Sequence, residues 1–372
     1  MPLPPFQLER YFARYEFTAP HLLCCSDCES MSVGDLLALE PGAADAFQRV
    51  WLGYTESQGA ASLRQEICRI YDTIAPDQVL VHSGAEEAIF VFMHAALRAG
   101  DHVIVHWPCY QSLLELPRNL GCDVTLWRAD EQNGWSLDLN DLVKSLRPNT
   151  RAIVLNTPHN PTGFLMPRRD FLEVSHIAAT NRLILFSDEV YRGLEHAEAD
   201  LLPAACDLDP GAVSLGVTSK AYGLPGLRIG WVASRDTELL ARMAALKDYT
   251  TICNSAPSEF LAELALCHRG RLIERNREII LKNLEILDGF FGRHQDRFVW
   301  SRPPAGPIAF PALRAGTIEI FCEDLVRGVG VLLLPGTVYG DTDNHFRIGF
   351  GRKSLPEAFS RLDHFLLEEP GS

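Results

Sequence analysis

Residues 214–231 read SLGVTSKAYGLPGLRIGW: an apolar, strand-like run ends on small hydroxyl residues and delivers one lysine, Lys220, eight positions before Arg228. A lysine beside apolar strand residues is costly, because desolvation disfavours its charged form unless something binds it or it reacts. Lys220 is therefore a candidate carbonyl-condensing amine. Arg228 lies in the apolar segment that follows and sets a cation close by, suited to an anionic group such as a phosphate.

Outward from this stretch, short apolar runs alternate with helical patterns from about residue 78 to residue 250, the pattern of an α/β fold with a mostly parallel sheet covered by helices. Seven strands are expected, at 78–82, 101–106, 123–127, 151–156, 182–187, 212–217 and 228–233. Between the first two, Ile89, Phe92, Met93, Ala96 and Leu97 fall at helical spacing, with Gly100 as the stop. Pro108, Pro158, Pro161, Gly163 and Pro225 follow strand candidates, and open parallel sheets bind ligands beyond those carboxyl ends. After Ala256 a long helical region runs to about Phe291, followed by short strand-like pieces at 298–301, 308–310, 331–334 and 345–350. The expected division is a large ligand-binding domain at 46–255 and a smaller α+β domain at 256–372. Residues 1–45 are expected to pack with the smaller domain or over the active site.

The 372 residues are 47% hydrophobic and 22% charged, which is globular usage and enough chain for two domains. A formal net charge of -14 argues against nucleic-acid and anionic-membrane partners, which require a basic face. No segment approaches the ~20 uninterrupted apolar residues of a spanning helix, and the N-terminus lacks a basic start with an apolar core, so a cytoplasmic location is expected. Ten cysteines are scattered without a disulfide framework, which points to reduced thiols. Cys24, Cys25 and Cys28 resemble a ligand cluster, but no second Cys/His pair at zinc spacing accompanies them, so packed thiols and no metal are expected.

A carbonyl-condensing amine near an anion-binding arginine suits pyridoxal 5′-phosphate. This cofactor also needs a carboxylate to keep its pyridine nitrogen protonated and donors for its phenolate and phosphate oxygens. FSDEVY at 186–191 puts Asp188 and Tyr191 at a strand end, and NTPHNPTG at 156–163 offers Asn160 as an amide donor on a proline-stiffened turn. Taken singly, such an aspartate also caps helices or pairs with surface cations, and such a tyrosine also fills cores. Their joint spacing with Asn160 and Lys220 favours the cofactor site.

With these motifs the chain resembles the class I/II aminotransferases of the fold-type I pyridoxal-phosphate enzymes, over most of its length. The resemblance implies that Lys220 is the Schiff-base lysine and base at the substrate α-carbon, Arg228 and Ser219 phosphate ligands, with Thr218 a further candidate, and Asp188 the pyridinium partner. It puts Tyr191 and Asn160 near the cofactor 3-oxygen, the amides of Ala85 and Glu86 around the phosphate, and Tyr110 on the pyridine ring. Tyr54 resembles the tyrosine that reaches the neighbouring subunit's phosphate, which implies a homodimer. Arg347, in FRIGF, matches the arginine that forks onto the substrate α-carboxylate, with Arg352 as the other candidate. One departure is Val217, where relatives usually carry serine or threonine.

The implied reaction is transamination between an L-amino acid and a 2-oxo acid. The run SKAYGLPGLRIGW is also similar to capreomycidine-synthase-type cyclases, which act on a hydroxylated arginine, so a cyclase or eliminase is the alternative. Asp27 and Glu29 are then candidates for a cationic side chain, and solvated loop acids or helix caps otherwise. An aminotransferase-like transcription regulator would need a basic DNA-binding domain, for which the roughly eighty residues before the first sheet strand, with Tyr54 among them, leave no room.

Overall fold

The computed structural model describes residues 3–341 and 343–368. Seven strands form its main sheet: β2 Val79–His82, β3 His102–Trp107, β4 Asp123–Arg128, β5 Thr150–Asn156, β6 Ile184–Asp188, β7 Val213–Val217 and β8 Gly230–Ala233, after the short β1 at His21–Leu22. Their spatial order is β2-β8-β7-β6-β5-β3-β4. Only β8 is antiparallel to its neighbours; the other pairings, β7 through β4, are parallel. Helices on both faces explain why β2, β6, β7 and β8 are buried at every position and read as continuous apolar runs rather than as alternating ones.

Because β8 reverses direction between β2 and β7, β2 runs the same way as the parallel strands. Its carboxyl end therefore opens at the same edge as those of β5, β6 and β7. There Asn156 is in register with Asp188, and Gly230 faces both His82 and Val217 across the ladder. The helix Ala85–Ala96 begins at this edge, three residues after β2.

Two strands start two residues later than the sequence pattern predicts. Arg182 (φ 55°) and Arg228 (φ 54°, ψ 47°) adopt left-handed backbone, which cannot continue a strand, so β6 begins at Ile184 and β8 at Gly230. The helix after β2 stops at Ala96, short of Gly100. The long helical region splits at His268 into Ala256–Cys267 and Arg269–Arg293.

The N-terminal segment both joins the C-terminal elements and reaches the sheet edge. Helix α1, Gln7–Tyr15, is followed by β1, which pairs in parallel with Val331–Leu332. The next residues run beside Phe346–Gly349: Gly349 N–H donates to Leu23 O, and Tyr11 Oη donates to Leu333 O at 2.8 Å. Phe346–Gly349 is the middle strand of a three-stranded antiparallel sheet with Ile308–Ala309 and Leu334–Pro335. All ten cysteines are free thiols, and Cys24, Cys25 and Cys28 are buried.

Candidate active site

A pocket of about 350 Å³ opens at the carboxyl ends of β5, β6 and β7, roofed by α1 and residues 25–27. Lys220 leaves β7 on the loop that turns back into β8 and lines this pocket, its Nζ donating to Ser26 Oγ at 2.8 Å. Burial lowers the Lys220 pKa, opposed by the nearby Asp27 carboxylate. Asp188 closes β6 on the same wall and is 5% exposed. Burial raises its carboxyl to about 7, against the pull of the Val190 N–H and Lys220. Burial also raises the Tyr191 phenol.

The hydroxyls of Tyr191 and Ser219 are buried without a hydrogen-bond partner. A buried hydroxyl left unpaired loses its hydration for nothing, so two of them facing one pocket mark positions that a bound group satisfies. The edge beside them is shaped for an anion. The helix Ala85–Ala96 presents its free N–H groups there, after Gly84 at φ 85°, ψ 171°, a conformation essentially confined to glycine. A Cβ on Gly84 would lie 2.5 Å from Arg228 Nη2, and one on Gly230 would lie 2.8 Å from Ala85 N. Two glycines thus let the guanidinium and the helix start share one cup. With an amine, a raised carboxyl, orphaned hydroxyls and this cup, the residues fit pyridoxal 5′-phosphate. Val217, noted above as a departure from the family pattern, also lines the pocket and adds an apolar wall.

Arg347 is 1% exposed and lines the same space. Its Nε and Nη2 donate to Cys24 O at 3.1 and 2.7 Å, and its Nη1 donates to Tyr339 Oη at 2.6 Å and to Asn160 Oδ1 at 3.3 Å. No carboxylate among the described residues pairs with it. A buried guanidinium held only by neutral acceptors keeps its charge available to an anionic ligand. Arg352 differs: its Nε and Nη2 fork onto Asp27, with Nη2 2.9 Å from each carboxylate oxygen.

Tyr110 lines the pocket as the residue before the helix Gln111–Asn119, with Phe6 tilted against its ring at 5.3 Å. Asn160 is fixed by its N–H to Asn156 Oδ1 and by Tyr339. Behind them, His106 and His159 stack at 3.7 Å, and burial lowers His159 to about 3, so it is neutral at physiological pH. The sequence-predicted residues Lys220, Asp188, Tyr191, Asn160, Tyr110, Ala85, Glu86, Ser219, Arg228, Arg347 and Asp27 all border this one pocket.

Three predicted residues do not: the Thr218 hydroxyl is buried and donates to Ile229 O at 3.0 Å, and Glu29 and Tyr54 also lie outside. Glu29 lies outside the pocket and accepts the Lys353 N–H at 2.9 Å, while Asp27 takes Arg352 on the pocket side. Tyr54 is 86% exposed, outside the pocket, next to the equally exposed Trp51 and Leu52. The structure adds Ser26, Cys25, Tyr339 and the α1 residues Glu9, Phe12 and Glu16. Of these, Cys25 belonged to the cysteine cluster already singled out and Ser26 lay between it and Asp27; the others had no sequence signal.

Residues 31–361 match the family described as aminotransferase class I and II. The chain is 32% identical over 352 residues to capreomycidine synthase of Streptomyces vinaceus, spanning 94% of this chain and 90% of that one. Among solved structures, it resembles a PLP-dependent aminotransferase from Streptococcus suis 89-1591 with a TM-score of 0.93 and 32% identity, covering 100% of both chains. The PLP-dependent cyclase OrfR matches with a TM-score of 0.91 and 31% identity, over 100% of this chain and 99% of that one.

Proposed function

The chain belongs to the aminotransferase class I and II family of pyridoxal-phosphate enzymes, and we propose that it moves the amino group of an L-amino acid to a 2-oxo acid, with Lys220 as the proton carrier. One observation carries this reading: a single pocket holds an amine whose pKa burial lowers, a carboxyl that burial raises, and a buried arginine with no carboxylate partner.

When bound, pyridoxal phosphate supplies a protonated pyridine ring able to take up the electron pair left at the substrate α-carbon. Asp188 holds the proton at the ring nitrogen, since a buried carboxylate gains most from a cationic neighbour. Tyr191 and Asn160 donate to the 3-oxygen. Ser219, Arg228 and the amides of Ala85 and Glu86 hold the phosphate. Tyr110 covers the ring face. Arg347, kept in place by Cys24 O and Tyr339, fixes the substrate carboxylate. Lys220, whose pKa burial lowers, would hold the cofactor's aldehyde carbon and would carry the α-proton from the substrate and back. Ser26, its hydrogen-bond partner, orients the amine.

The active unit in this reading is a cytoplasmic homodimer, with Tyr54 completing the neighbouring phosphate cup. Its exposure together with Trp51 and Leu52, and the ten free thiols, support that placement. A second reading is cyclisation or elimination, favoured by the likeness to capreomycidine synthase and the cyclase OrfR. The test is to mix holoenzyme with an amino acid and no 2-oxo acid. Transamination gives the pyridoxamine form of the cofactor and one equivalent of 2-oxo acid per site, then stops. Repeated turnover without added 2-oxo acid overturns it in favour of the second reading.

A further inference from the structure

A second cluster of ionisable groups stands behind Arg347 and Tyr339, outside the pocket. His345, 1% exposed, immediately precedes the strand Phe346–Gly349 that carries Arg347. Its Nδ1 lies 3.0 Å from Asp341 Oδ2, and its Nε2 lies 3.0 Å from Glu131 Oε1, a contact too bent for a full hydrogen bond. Burial alone would lower the His345 pKa, but Asp341 and Glu131 raise it, which favours an imidazolium attracted to both carboxylates. The rest of the ring's surroundings are uncharged: Phe310 stacks on it at 4.9 Å, and Trp135 meets it edge-on at 5.1 Å. The two acids come from distant parts of the chain. Glu131 opens a turn, Glu131–Asn133, just after β4, the edge strand of the main sheet, and Asp130 caps that turn by accepting the Gln132 N–H. Asp341 follows the turn Gly336–Tyr339, and it also accepts the N–H groups of Asp343 and His345, each at 3.3 Å.

His345 therefore ties the edge of the main sheet to the segment that presents Tyr339 and Arg347. Packing passes its position on, because there is no slack between them. The Gly336 N–H donates to His345 O at 2.7 Å, and a Cβ on Gly336 would lie 2.7 Å from that oxygen and 2.8 Å from Asp341 Oδ2. Phe310, stacked on His345, also meets the Tyr339 ring edge-on at 5.9 Å. Tyr339 Oη in turn accepts from Arg347 and donates to Asn160 Oδ1 at 3.1 Å. Resting on the pyridoxal-phosphate reading above, and holding for either reaction outcome, we propose that His345 is a positioning residue for the substrate carboxylate: bridging Glu131 and Asp341, it holds Tyr339 and Arg347 in the geometry that receives an amino acid. A ring serving the fold alone would stabilise the protein without acting on one ligand group rather than another.

The test compares holoenzyme reacting with ligands that do and do not carry a carboxylate, read by the cofactor absorbance change. The common L-amino acids are screened, and the tightest binder is set beside methoxyamine, an amine nucleophile with no carboxylate that attacks the cofactor's aldehyde carbon. His345→Gln is expected to weaken the amino acid roughly 10-fold, and Glu131→Gln, isosteric and partly exposed, by about 2- to 10-fold, the worth of one hydrogen bond. The methoxyamine rate should stay within about twofold in both variants, because nothing in that probe reaches Arg347. A second measurement needs no cofactor. With its folded pKa raised, His345 stabilises the protein fully below its unfolded value near 6.5, and that contribution is lost as pH rises through the folded value. In urea unfolding the parent should therefore lose stability relative to His345→Gln between pH 6 and pH 9. Equal losses for amino acid and methoxyamine overturn the proposal, as does unchanged amino-acid binding by Glu131→Gln or a stability difference that does not vary with pH. If His345→Gln does not fold, Glu131→Gln decides alone. If no amino acid changes the cofactor absorbance, or Lys220→Ala retains full turnover, the failure lies in the pyridoxal-phosphate reading itself.

Discussion

Replacing Gly84 with alanine is the sharpest probe of the anion cup, because two separate effects of one methyl group follow from the geometry. The first is backbone strain: φ 85°, ψ 171° belongs to a region that residues with a Cβ avoid at about 1–3 kcal/mol, so folding stability should fall by that amount. The second is displacement. The new Cβ would sit 2.5 Å from Arg228 Nη2 and 3.0 Å from its Cζ, so the guanidinium, the far end of a flexible side chain, swings out of the cup. Loss of one charge-assisted phosphate contact is worth about 1.5–3 kcal/mol, or roughly 10- to 150-fold in pyridoxal-phosphate affinity. Gly230→Ala separates the two effects. Its φ is not left-handed, yet its Cβ would lie 2.7 Å from Gly84 C and 2.8 Å from Ala85 N, backbone atoms that cannot swing aside. It should weaken the cofactor at least as much as Gly84→Ala. Gly226→Ala, in the same loop but with nothing within 4 Å, is the control and should change neither quantity. The assay is titration of cofactor-free protein with pyridoxal phosphate, followed by absorbance, beside urea unfolding of the same samples. If Gly84→Ala loses stability but binds the cofactor as the parent does, Arg228 does not hold the phosphate. If Gly226→Ala is equally damaging, the steric reasoning is wrong.

Asp188→Asn should reduce turnover by a factor on the order of a hundred or more while leaving a folded protein, since an amide cannot hold the ring proton. In cofactor-free protein the Asp188 carboxyl titrates at about 7, above its unfolded value, so its stabilising contribution is fully present below about pH 4 and is lost as pH rises through 7. Parent stability should therefore fall relative to Asp188→Asn between pH 5 and pH 8 in urea unfolding, and a difference that does not vary with pH refutes the assignment. For Tyr54, mixing inactive Tyr54→Ala and Lys220→Ala proteins under subunit exchange should restore activity to about a quarter of the parent level, because each mixed dimer has one intact site. No recovery would show that Tyr54 does not serve a neighbouring subunit.

The sheet was readable because parallel strands buried on both faces are written as unbroken apolar runs, which are hard to mistake when turns follow at regular intervals. The start of β8 was not, since it follows a left-handed residue, Arg228, beside a close approach of Gly230 to Gly84, residues far apart in sequence. Lys220, Ser219 and Arg228 were legible because one loop carries them all. The roof of the pocket was illegible for the opposite reason. Ser26 meets Lys220 across 194 residues, and α1 has the pattern of any surface helix, with nothing local to say that its glutamates overhang a ligand site. Asp27 was visible as an acid, but the bidentate Arg352 that occupies it, 325 residues later, was not.

The lattice of contacts between residues 21–27 and 331–352 also sets a schedule. Cys24 O meets Arg347 across 323 residues, and β1 finds its partner strand only at Val331–Leu332. On the ribosome, the sheet edge with Lys220, Asp188 and the anion cup can form while the N-terminal segment is still waiting for its dock. The residues of the sheet edge are therefore all synthesised before Arg347 and the strand that holds it. A chain released before residues 331–352 are made would leave residues 21–27, and with them the roof over Lys220, without their partner strand.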